Sequence, residues 1–174
     1  MRQKIFTYLI IGILSSLTFG CEKDETSSDS KVELYLLDSY SKIGNSFQID
    51  DTTIKTKTSP LIRYSDFISY DAKNYKFEIS GKAKSAIDNM QHSVHGVAFA
   101  VKANGTIIYS GYFWPSYSSA SCDWIVIDPI MISTDNKINV SLGYPGLFQG
   151  QVIPDKRNDS RIIEIFERDN KLVK

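Results

Sequence analysis

Two cysteines and two histidines in 174 residues leave this chain little material for metal or thiol chemistry. Two histidines do not complete a metal site without acidic or cysteine partners at ligand spacing, and none stands beside them. Nor is there charge of one sign in excess: 20 basic side chains face 20 acidic ones. Neutralising a phosphate backbone needs a basic surplus, so nucleic acid is excluded as a partner. Long apolar runs are missing too. The longest, Ile5 to Phe19, is about fifteen residues, and a membrane-spanning helix needs roughly twenty. No internal repeat occurs, and only one short stretch is of low complexity.

What is present begins at the N-terminus. Arg2 and Lys4 precede the apolar run, which is the layout of a secretory signal peptide. Residues 1–20 are therefore expected to be removed. Leu17-Thr18-Phe19-Gly20-Cys21 resembles the lipobox of bacterial lipoproteins, which implies that Cys21 is acylated and becomes the new first residue. Each buried methylene contributes about 0.8 kcal/mol, and two or more acyl chains hold firmly where one does not. The polar string from Glu22 to Lys31 has nothing apolar to bury, so residues 21–31 read as a lipidated cysteine on a solvated tether. Within it, Lys23-Asp24-Glu25 resembles the surface-export signal of lipoproteins in one group of Gram-negative bacteria. That resemblance implies an outer-membrane protein facing the medium, with the periplasm as the other possible side. Asp51-Thr52-Thr53 is similar to the short acceptor motif for O-linked glycans in the same group, which would make Thr52 the modified residue.

Removing residues 1–20 leaves 18 basic against 20 acidic side chains, a mildly acidic product. Residues 32–174 suit one domain, large enough for a self-sufficient core. The pattern predicts an α+β fold, a mostly antiparallel sheet with one or two helices packed on one face. Val32 to Asp38 reads as a strand, and Lys42 to Thr58 as a loop with one short strand. Tyr75, Phe77 and Ile79 alternate with polar residues as a half-buried strand does. Ser80 is placed to cap a helix from Gly81 to about Met90. Asn104-Gly105 between two apolar runs is a hairpin signal, because both residues accept positive φ. Trp124–Pro129 and Ile138–Leu142 read as further strands. A helix capped by Asp159 or Ser160 would carry Ile162, Ile163 and Phe166 on one stripe.

The succession from Pro60 to Asp71, the strand ending at Ile79, the short helix, Gly96-Val97-Ala98-Phe99 and the Asn104-Gly105 hairpin resembles a recurrent small-lipoprotein domain. More loosely, it is similar to the head of the first periplasmic domain of the SecD export subunit. The resemblance covers roughly residues 60–112 and rests on strand and turn patterns. It implies an architecture and contact with protein chains or other envelope material, and it carries over no active-site residue.

The most distinctive stretch runs from Gly111 to Trp124, with aromatics on both sides of Pro115 and a serine cluster. Aromatic faces give contact area at low entropic cost and hydroxyls add adaptable hydrogen bonds. Trp114, Tyr117, Ser118 and Ser119 are thus candidates for a platform that stacks sugar rings or a peptide. The competing reading makes the same aromatics core residues. Cys122, once Cys21 is acylated, is a lone thiol with no disulfide partner. With His92 or His95 as base it would suit a cysteine-dependent hydrolase. The two histidines, three apart, would face the same way on a helix. The function expected is a membrane-anchored, surface-exposed binding or scaffolding domain for a glycan or protein partner, without cofactor or metal; the hydrolase is the alternative.

Overall fold

The Asn104-Gly105 turn fixes the centre of the fold. Both residues adopt positive φ, +52° and +77°, and they join strand β5 (Val97–Ala103) to β6 (Thr106–Phe113) in antiparallel register from Ala103↔Thr106 to Val97↔Phe113. The positive φ values match the twist of a tight two-residue hairpin. In this computed structural model residues 30–133 and 135–173 are described. The leader, Cys21 and the Lys23-Asp24-Glu25 triplet lie outside the described residues.

Around the hairpin the chain builds an α+β fold on one sheet of nine strands, in the order β2-β1-β5-β6-β7-β8-β4-β3-β9. The other strands are β1 (Val32–Ser39), β2 (Lys55–Thr56), β3 (Phe67–Asp71), β4 (Lys76–Ile79), β7 (Cys122–Ile127), β8 (Lys137–Tyr144) and β9 (Leu172–Val173). Most neighbours are antiparallel; β6 with β7 and β3 with β9 are parallel. Strand β8 holds the sheet together. Its first residues pair with β4 through Phe77↔Ile138, and its later ones pair with β7 through Ile125↔Leu142.

Helix α1 (Gly81–Asp88) starts where Ser80 Oγ accepts the Ala83 N–H at 3.1 Å, and the same hydroxyl donates to Asp66 at 2.9 Å. The helix ends at Asp88, two residues short of the expected Met90. Helix α2 (Ser160–Arg168) is capped by Asp159, whose carboxylate accepts the Arg161 N–H at 3.1 Å. Its buried stripe is Ile162, Ile165 and Phe166, with Ile163 half-buried. Phe166 meets Tyr64, Phe67, Tyr70 and Phe77 with ring centroids 5.5 to 6.0 Å apart. Tyr70 and Phe77 stack at 4.1 Å. On β4 and β8 the inward side chains Phe77, Ile79, Ile138 and Val140 are buried. The alternate positions therefore point the other way, and that outward face carries the candidate site.

Candidate binding cleft

Period-two alternation on β8 buries Ile138 and Val140 and turns Lys137, Asn139 and Ser141 outward in a row. Register places Lys76 of β4 opposite Asn139, and Val126 of β7 opposite Ser141. These residues floor a cleft of about 360 Å³. Asp128, Met131, Asp135, Gly143, Tyr144 and Pro145 also line it, together with Trp114. A second depression of about 240 Å³ continues across β3 and β4 and shares Lys76 and Lys137 with the first.

The groups in the cleft are held, not loose. Asp128 Oδ1 accepts the Ser116 and Ile130 N–H groups at 3.2 and 3.0 Å, so it braces both flanking loops. Tyr144 donates its hydroxyl to the Ser116 carbonyl at 2.7 Å. Asn139 Nδ2 donates to Ser141 Oγ at 3.1 Å. Among the described residues, Lys76, Lys137, Asp128 and Asp135 form no ion pair. Two ammonium groups and two carboxylates therefore keep their capacity for a partner, while Met131 adds an apolar surface that is 62% exposed.

The aromatic segment is placed differently from the expected platform. Trp114 is fully buried, with its Nε1 donating to the Ala120 carbonyl at 3.2 Å and Phe47 edge-on at 4.9 Å. Register is the reason. Trp114 extends β6 beside its parallel neighbour β7, its N–H donating to the Ile127 carbonyl at 2.8 Å, and its ring packs against Phe47 and Tyr112. Gly96 accommodates it: φ is +79°, and a Cβ there would stand 2.7 Å from Trp114 Cε3. Ser118 is buried as well, donating to the Val94 carbonyl at 2.7 Å and accepting the Ala120 N–H at 3.2 Å. Tyr117 and Ser119 are exposed. Trp114 lies at the edge of the cleft, but its buried indole presents no open face, and the segment is tied to the cleft through Ser116, which meets Asp128 and Tyr144.

Cys122 does not meet the histidines. Its thiol is fully buried, and burial pushes it up to about 12 despite the Trp124 N–H that favours the thiolate. No hydrogen bond joins it to His92 or His95 among the described residues. Those two lie past the end of α1 in the connection to β5, not on a helix as their spacing suggested. No group of three or more histidine, cysteine or acidic side chains that could hold a metal occurs among the described residues. Thr52 is exposed, and its hydroxyl donates to Asp50 at 2.7 Å. No described helix is long and apolar enough to cross a membrane.

No family model, curated protein or solved structure matches this chain. Sequence reading missed the cleft because Lys76, Lys137, Asn139 and Ser141 look like the solvated side of ordinary strands. Only the β4–β8 pairing, across some sixty residues of sequence, turns two polar strand faces into one concave surface.

Proposed function

We propose that this protein is an outer-membrane lipoprotein, held by acylated Cys21 and facing outward, whose domain binds a glycan in the cleft above β8. The observation that carries the reading is the row Lys137, Asn139, Ser141 with Lys76, Asp128 and Asp135 around it. Ammonium, amide, hydroxyl and carboxylate groups spaced along a strand suit the repeated hydroxyls and ring substituents of a sugar chain. The balanced charge of the cleft favours that ligand over a strongly anionic polymer. Tyr144 and Met131 supply apolar surface for ring faces. The Lys23-Asp24-Glu25 triplet supports the outward address.

Two measurements test it. Fatty-acid labelling should mark the parent and spare a Cys21→Ser variant. Calorimetric titration of a Cys21→Ser chain produced without residues 1–20, with cell-wall and surface-polysaccharide fragments, should show binding that Lys137→Ala and Asn139→Ala each weaken about five- to thirtyfold, as expected for lost polar contacts. Binding unchanged in both variants, or binding of peptides alone, would refute the glycan reading.

A further inference from the structure

The cleft above β8 and the depression beside it hold Lys76 and Lys137 in common. Register sets Lys76 opposite Asn139 and Lys137 opposite Glu78, so the two lysines are diagonal neighbours on the outward face, with β-carbons roughly 7 Å apart. Together the two hollows cross β7, β8, β4 and β3, which are consecutive in the sheet. Three strand spacings of about 4.8 Å make a track of about 14 Å, long enough for a short run of sugar rings.

The charged groups along this track differ in what they have left to offer. Asp71 faces Lys76 across the β3–β4 ladder and feels its charge, but Asn74 occupies both of its oxygens, through the backbone N–H at 3.0 Å and the side-chain amide at 2.7 Å. Glu78 accepts the Ser69 hydroxyl at 3.0 Å, and Asp135 accepts the Lys137 N–H at 3.1 Å. Asp128 accepts its two loop N–H groups. Each of these carboxylates is thus engaged within the chain. The ammoniums of Lys76 and Lys137 are not: among the described residues neither donates a hydrogen bond or forms an ion pair. Like charges held side by side on paired strands repel, and an anion set between them removes that cost.

We propose that the ligand is an acidic glycan of low charge density, in which one sugar carboxylate sits between Lys76 and Lys137 and the sugars on either side of it are uncharged. This deepens the glycan reading and rests on it. Two ammoniums offer enough donors for both carboxylate oxygens and for neighbouring hydroxyls. A densely charged chain does not suit the track, because Asp128 and Asp135 in one hollow and Asp71 and Glu78 in the other repel further negative groups.

The test takes the cell-wall and surface-polysaccharide fragments that bind in the titration above, each in two forms: native, and with its uronic carboxyls reduced to primary alcohols. Reduction should weaken binding to the Cys21→Ser chain lacking residues 1–20 roughly tenfold. Lys76→Met and Lys137→Met remove a charge at exposed positions and keep the apolar stem. Each should lose roughly five- to tenfold for the native form and stay within about twofold for the reduced one. An oligogalacturonate, charged on every ring, should bind more weakly than the native fragments. The carboxylate assignment is overturned, with the glycan reading left standing, if the fragments that bind carry no carboxyl, if native and reduced forms bind equally, or if the oligogalacturonate binds best. Equal losses for the two forms in both methionine variants would overturn it as well. Failure of every fragment to bind, in either form, removes the glycan reading and this inference together.

Discussion

Replacing Trp114 by alanine should cost this domain a large part of its stability, and replacing Tyr117, three residues on, should cost almost nothing. Trp114 is fully buried, packs against Phe47 at 4.9 Å and donates its indole N–H to Ala120. Large aromatic-to-alanine changes in a core cost about 3–5 kcal/mol. The lost edge-on ring contact and the orphaned Ala120 carbonyl favour the upper half of that range. Against a total stability of about 5–15 kcal/mol this is severe. With a urea slope of about 2 kcal/mol per molar, the midpoint should fall by about 2 M. Tyr117 is 59% exposed, so its removal should stay within about 0.5 kcal/mol. Urea unfolding followed by circular dichroism measures both. A Tyr117→Ala midpoint lower than that of Trp114→Ala, or a Trp114→Ala shift under about 0.3 M, would refute the assignment of the indole to the core.

Cys122 should resist iodoacetamide at pH 8 in the folded chain and react at once in concentrated urea, since burial holds its thiol up to about 12; rapid labelling of the native protein, followed by mass spectrometry, would contradict this. Asp169 provides a pH test. Hydrogen bonds from Arg168 and Tyr64 hold its carboxyl down to about 2, below the ordinary value of about 3.9. A carboxyl depressed on folding stabilises fully above its unfolded value and loses that contribution as pH falls through its folded value. The urea midpoints of parent and Asp169→Asn should therefore differ at pH 5 and converge toward pH 2; a gap that widens on acidification would argue against the Arg168–Asp169–Tyr64 contact.

Local chemistry made much of this fold readable from sequence. Asn104-Gly105 announced its hairpin, Ser80 its helix, and Phe77 and Ile79 their half-buried strand, because in each case the determinant lies within a few residues of its effect; Tyr75, expected to open that strand, instead closes the turn before it with φ +54°. Long-range pairing was not readable. Leu172–Val173 is too short to show periodicity, and it becomes a strand only because β3 presents Tyr70 and Asp71 to it. Trp114 illustrates a different ambiguity. An aromatic run beside serines satisfies both a binding surface and a core, and what decides between them is the pairing of both ends of the run, β6 with β5 and β7 with β8, which no local pattern announces. The cleft was illegible for a related reason: its members are separately unremarkable polar residues that acquire meaning from register.

Strand β1 has a mechanical implication. The chain enters the domain at Lys31, where Asn104 grips its backbone on both sides. It then runs along β1, registered with β5 from Val32↔Ala103 to Leu36↔Phe99, with β2 on the opposite flank. A pull on the preceding segment, directed along that strand, would load these bonds in shear, so many must yield together instead of peeling singly. Force applied through the residues before Lys31 would thus meet the β1–β5 ladder in its stronger direction.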